Sequence, residues 1–327
     1  MKSSNIGGQA VMEGVMMRNG DSYAVAVRTQ NQDIVVKTEQ CSSVIKYKAL
    51  TRIPFIRGVF NFVDSLVLGM KTLTYSAGFF LEEEHQMTAE EAADKDKTAV
   101  SADDRQNDHG KDAVMIGTVC VAVLLAVGLF VGIPYGVSEL LRRFVTQNEL
   151  VLALFEGLFR LLLFVGYVVL IAQMDDIQRV FMYHGAQHKC INCIENGLEL
   201  NVENVRKSSK QHKRCGTSFL LFVMLISIIA FLFIRVDNPW LRLAVRLLMI
   251  PVIAGISYEI IKLAGRSDHF LVNLISKPGM WLQNLTTREP DDSMIEVGIA
   301  SVEAVFDWRA FENRPEEGNI ERPGGEQ

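Results

Sequence analysis

Residues 113–137 read AVMIGTVCVAVLLAVGLFVGIPYGV, without a single charged side chain. A hydrocarbon layer ~30 Å thick is crossed by about 20 apolar residues at ~1.5 Å each, so this run predicts a membrane-spanning helix. Three more windows have the same character. Segment 150–174 is apolar apart from Glu156 and Arg160, and 217–234 is uncharged. Segment 240–264 carries Arg242 and Arg246 near its start and Glu259 and Lys262 near its end. The links 138–149 and 235–239 are short, so the spans pair as two antiparallel hairpins, 113–174 and 217–264. The expected fold is mainly α: an integral membrane bundle of four spans, a small N-terminal β-rich cytoplasmic unit and a C-terminal amphipathic helix.

Outside these windows the composition changes. The chain has 327 residues, 49% of them hydrophobic, and a formal charge of -5. Met1 to Asn5 are not followed by an apolar core, so no cleavable signal peptide is read. In 1–54, Gly7-Gly8, Gly14 and Asn19-Gly20-Asp21 are turn signals, and the runs 23–28 and 33–37 predict a hairpin. In 55–81, Arg57, Asp64 and Lys71 recur every seven residues with Asn61 and Tyr75 on the same stripe. That pattern fits a helix lying at the interface or packed on the bundle, and it also fits a fifth span with its stripe turned inward. The acidic stretch 82–112 reads as a disordered linker, because it cannot bury enough apolar area to offset its ordering entropy. In 265–327, Pro278-Gly279 reads as a turn. Ile295, Ile299, Val302 and Phe306 predict an amphipathic helix over 293–312, before a Pro/Gly/Glu tail.

Basic residues set the orientation. Segment 175–216 carries Arg179, Lys189, Arg206, Lys207, Lys210, Lys213 and Arg214, against Arg142, Arg143 and Arg235 on the opposite side. Four spans therefore place 175–216 and both termini in the cytoplasm, in a multi-pass plasma-membrane protein. The mild negative charge gives no reason to expect nucleic acid as a partner; the lipid bilayer is the expected surroundings.

Segment 175–216 also holds the chemistry. His184 and His188 stand at i and i+4, which on a helix puts both imidazoles on one face. Cys190 and Cys193 follow directly, and His212 and Cys215 come just before the third span. Nitrogen and thiolate donors in short-spaced pairs are the usual supply of a zinc site. Six such groups exceed four positions, so the set stays open between a closed structural site and an open catalytic one. Five cysteines at irregular spacing argue against a secreted disulfide framework. Glu259, at the same end of the fourth span, is the candidate catalytic base or ligand, or else pairs with Lys262 or Arg266. Glu156 and Arg160 read as an intrahelical ion pair, and Cys120 as core or lipid-facing. Glu13 and Arg18 have no spacing logic of their own.

The stretch from Gly7-Gly8-Gln9-Ala10-Val11-Met12-Glu13-Gly14 to Arg18 resembles the opening signature of the YqhQ family. So do 183–189, His212 with Arg214-Cys215-Gly216-Thr217-Ser218-Phe219, Ser257-Tyr258-Glu259 and 286–292. That family consists of bacterial membrane proteins often labelled predicted metal-dependent enzymes. The resemblance implies His184, His188, His212 and Cys215 as metal ligands, with Cys193 next, and leaves Cys190 outside the pattern. The family usually has Glu where this chain has Gln187, and glutamine can act neither as base nor as anionic ligand. The base then falls to Glu259 or Glu195. The expected function is a Zn²⁺-dependent membrane enzyme, a hydrolase at the cytoplasmic face acting on a membrane-associated peptide or lipid-linked molecule. The alternative is a non-enzymatic assembly or scaffold protein with a structural zinc. A transporter is the third class, with only Glu156 and Arg160 to serve it.

Overall fold

The structure is a computed structural model, and it describes residues 4–41, 53, 55–93, 108–234, 236, 238–265 and 269–312. The chain is mainly helical, with a small antiparallel sheet at its N-terminal end. Strands β1 (Gly7–Val11), β2 (Gly14–Asn19), β3 (Ser22–Arg28) and β4 (Ile34–Gln40) pair in sequence order. Val11 pairs with Gly14, so Met12 and Glu13 make the turn between them, and Glu13 takes φ 47°. A Cβ on Gly14 would stand 2.4 Å from the Ala26 carbonyl oxygen, so only glycine fits there.

The sheet is covered on both faces. Val15, Met17 and Ala26 pack into one core cluster, while Met16, Val25 and Val27 pack into another. Successive side chains on a strand point to opposite faces. With both faces buried, β2 and β3 read as nearly continuous apolar runs instead of alternating ones.

Helix α1 (Ile56–Ala93) covers the second face with Leu68, Tyr75, Phe79 and Phe80. Its polar stripe is spent on protein partners. Arg57 donates to Glu259 at 2.7 Å, Asn61 donates to the Tyr258 hydroxyl at 2.7 Å, and Lys71 pairs with Glu39. The stripe thus faces protein, as both readings of 55–81 require. The helix runs past residue 81 to Ala93, and α2 (Asp108–Val127) starts before 113. The disordered linker expected over 82–112 is therefore helical at both ends. Glu, Gln, Met and Ala are strong helix formers, and extending a formed helix avoids a new nucleus. The expectation of disorder for 94–107, like that of a frayed tail after Glu312, lies outside the described residues.

Among the described residues, four helices are long and apolar enough to cross a membrane. The first, Gly117–Phe144, comprises most of α2, a π-helical turn (Gly128–Gly132) and α3 (Ile133–Phe144). Cys120 is exposed on it. The others are α4 (Glu149–Ile171), α7 (Gly216–Phe233) and α8 (Pro239–Ala264). Asn148 and Asn238 cap α4 and α8 by accepting from two backbone N–H groups each. Charge inside this bundle is paired. Glu156 accepts from Arg160 at 2.8 Å and from Arg246 at 2.5 Å; Arg160 also donates to the Phe130 carbonyl and to Ser227. The expected intrahelical pair exists, joined by a second arginine from α8.

Segment 175–216 is a compact helical layer. It holds α5 (Asp175–Glu195) and α6 (Val202–Lys207), with α5 set off from α4 by extended backbone at Met174. Two C-terminal expectations need correction. Pro278-Gly279 is not a turn but lies inside α9 (Phe270–Thr286). A Cβ on Gly279 would meet Ser218 at 2.8 Å, so this glycine lets α9 approach α7, and packing outweighs the local breaker signal. The helix over 293–312 is two pieces, α10 (Asp292–Glu303) and α11 (Trp308–Glu312). Met294, Ile295, Val297, Gly298, Ser301 and Val302 of α10 are buried, a wider band than the expected stripe, because α10 is wedged between the sheet and α5.

Candidate metal centre

His184 and His188 project from one face of α5 towards the start of α7, where Cys215 is the N-cap residue. The connection carrying Cys215 is fixed by side chains from its neighbours. Lys189 donates to the Arg206 and Ser208 carbonyls, each at 2.9 Å, and Asn192 to those of Ser209 and Gln211. The Gln283 amide of α9 accepts from the His212 N–H and donates to its carbonyl, at 2.8 and 2.7 Å. These bonds satisfy a backbone that no strand or helix partners, and they hold the Lys210 carbonyl and the Cys215 thiol in place.

Each imidazole is oriented by a backbone carbonyl. His184 Nδ1 lies 2.9 Å from the Thr286 oxygen and His188 Nδ1 2.7 Å from the Lys210 oxygen. A carbonyl only accepts, so both Nδ1 atoms carry the proton, leaving Nε2 as the ligating atom. His184 Nε2 stands 3.4 Å from Cys215 Sγ, and the ring centroids of His184 and His188 are 4.3 Å apart. The donor atoms of His184, His188 and Cys215 all lie within 4.8 Å of one another. Tetrahedral zinc, with bonds of ~2.0 Å to nitrogen and ~2.3 Å to sulfur, sets its ligands roughly 3.5 Å apart. The trio offers the donor types and tautomers that a zinc-class ion takes.

Electrostatics agree with that chemistry at Cys215 and His188. Burial pushes the Cys215 thiol up, but His184 and His188, by charge and hydrogen bonds, hold it well below the usual thiol range. Its place at a helix N-terminus acts in the same direction. Burial depresses His188, keeping it neutral, as ligation requires. For His184 burial also works downward, but the facing Cys215 outweighs it and raises the group, so His184 must give up its Nε2 proton before it can ligate.

The other expected site residues lie elsewhere. Cys193 donates to the Glu199 carbonyl at 3.4 Å and is pushed up to about 11 by burial. Cys190 is fully buried against α10, where a Cβ on Gly298 would come within 2.9 Å of its sulfur. His212 turns its Nε2 to Glu195 at 3.5 Å, with its ring centroid 5.7 Å from that of His188. Glu195 also accepts from the Ser4 N–H and hydroxyl, each at 2.8 Å, and from Arg214. Burial would raise that carboxyl, but His212 and Arg214 hold it at about 2. Glu259 is bound to Arg57, and it contributes no atom to the trio. Gln187 is buried with its Oε1 unpartnered, next to Gly8 of β1.

Sequence reasoning missed the Thr286 and Lys210 carbonyls, which carry no residue-type signal, and Thr217, whose hydroxyl is 3.0 Å from Cys215 Sγ. It also had no role for Glu13. That turn residue binds Arg179 and accepts from the Tyr183 hydroxyl at 3.2 Å, tying the Gly-rich opening to the histidine helix.

A family model described as "Protein of unknown function (DUF1385)" matches residues 53–308. "Uncharacterized protein YqhQ" of Bacillus subtilis (strain 168) is 34% identical over 296 residues, 90% of each chain. No solved structure matches the chain.

Proposed function

The chain belongs to the DUF1385 family, to which the resemblance to YqhQ also points, and from that premise we propose that it is a metal-dependent enzyme of the plasma membrane. His184, His188 and Cys215 would hold the ion, most suitably Zn²⁺, at the cytoplasmic end of four spans, with both termini on that side. The observation carrying this reading is the convergence of three carbonyl-oriented or helix-capped donors within 4.8 Å, with no fourth His, Cys, Asp or Glu in the group among the described residues. Three protein ligands plus one open position is the pattern of catalytic zinc, whereas structural zinc is closed by four. Bound there, the ion would supply Lewis-acid polarisation and a water of lowered pKa. The carbonyls of Thr286 and Lys210 fix the imidazoles, and Thr217 lies within reach of the sulfur. A hydrolase acting on a membrane-associated peptide or lipid-linked molecule is the matching reaction class.

The competing reading is a scaffold in which the metal staples α5 to the start of α7. It is favoured by the state of the nearest expected bases: Glu195 and Glu259 are both bound to arginines. Cobalt substitution separates the two. Cobalt-loaded protein whose visible spectrum shifts on adding azide has an exchangeable position and supports the enzyme. A tetrahedral spectrum indifferent to azide supports the staple. Protein that binds neither zinc nor cobalt removes both.

A further inference from the structure

Among the described residues, Arg246 is an exception to the paired charge of the membrane bundle. It is 9% exposed, and only its Nη2 is bonded, to Glu156. Its Nε and Nη1 are buried and meet no hydrogen-bond acceptor. Glu156 faces two guanidiniums at once, and Arg160 has already placed its other donors on Phe130 and Ser227. A buried cation with unspent donors is costly, and one carboxylate does not neutralise two arginines. The guanidinium lies 5.0 Å from the Tyr135 ring centroid and 5.2 Å from that of Phe231, faces that stabilise a cation but accept no strong hydrogen bond. Arg246, Tyr135, Glu156 and Phe231 line one small cavity of about 20 Å³ together with Arg142, Arg242 and Glu149; Arg142 pairs with Glu149 and Arg242 with Glu139, so the second charge beside Glu156 stays unmatched. That volume admits a single water or an ion of similar size and is too small for a phosphate or a lipid headgroup.

We propose that this cavity, at the end of the spans opposite the histidines, binds one small monovalent anion of halide size. The anion accepts from one of the two unspent Arg246 donors, which diverge on the planar guanidinium, and offsets the second positive charge. A water could accept the same bond but would leave the charge uncompensated.

The test is the thermal midpoint of the full chain in detergent, titrated with sodium chloride or bromide against gluconate and sulfate at matched ionic strength. A saturable rise with the halides alone is expected. Arg246→Met, which leaves Glu156 paired one to one with Arg160, should weaken it by at least about tenfold, the loss of a charge-assisted hydrogen bond. Equal stabilisation by all four salts, or a halide effect unchanged in the variant, overturns the site. Should the variant fail to fold, equilibrium binding of radioactive chloride to the wild-type protein decides. A single saturable site supports the proposal, and non-saturable retention refutes it.

Discussion

The two ends of the helical bundle spend their polar groups in opposite ways. At one end, His184, His188 and Cys215 use their outer atoms on the protein and turn their remaining donor atoms towards a common point. At the other, Glu156, Arg160 and Arg246 turn their charges on each other across α4 and α8. Both sets are largely buried, but only the first looked functional in the sequence; Glu156 and Arg160 read as an intrahelical ion pair. Convergence separates them: Glu156, Arg160 and Arg246 bond chiefly to one another across helices, while His184, His188 and Cys215 bring their donor atoms within 4.8 Å of one another.

The largest effect should come from removing a converging donor. His188→Ala or Cys215→Ser should take near-stoichiometric zinc to almost none, read by elemental analysis of detergent-purified protein. Retention of the metal in both variants would break the contrast at its first term. Next, Glu156→Gln leaves two buried guanidiniums facing a neutral amide. It should cost about 3–5 kcal/mol in unfolding experiments without touching metal content. Cys190→Ser sets a hydroxyl in an apolar core and should cost about 1–3 kcal/mol; Cys193→Ser should leave metal content unchanged, which sharpens the line between the two faces of α5. Glu259→Gln breaks a pair with Arg57 whose side chains are 22% and 23% exposed and should cost about 1 kcal/mol, again with metal retained.

The smallest effect concerns pH. Glu39 is held at about 2, from a usual 4.5, by hydrogen bonds from Lys37, Lys71 and Tyr23. A depressed carboxyl stabilises the fold above its unfolded pKa and loses that contribution as pH falls through the folded value. Glu39→Gln should therefore flatten stability against pH between about 4.5 and 2, and leave its slope near neutrality as it was.

The spans were legible because hydropathy over 20 residues leaves few alternatives, and the His184–His188 pair because four residues is nearly one helical turn. The division of α5 was legible in principle. On a helix continuous to Glu195, Cys193 lies nine residues beyond His184, half a turn round at ~100° per residue, so the two cannot share a centre. What hid this was the end of α5, which spacing alone did not fix. Helix α9 was hidden by Pro278-Gly279, a local breaker overridden by contact with Ser218. Glu259 read as a base because its partner, Arg57, is 202 residues away in sequence, and no local pattern reports such a neighbour.

The sheet at the start of the chain shares its core with α10 near the end: Val15, Met17 and Ala26 are buried with Met294, Ile295 and Val302. Everything between, spans included, is inserted into one small folding unit. Synthesis runs from the first strand to α10, so the sheet emerges early and waits, one apolar face bare, while the hairpins enter the bilayer. Contacts of such long sequence separation form late, and exposed strands invite aggregation meanwhile. The body that holds the sheet thus closes only after all four apolar helices have been made, when α10 arrives.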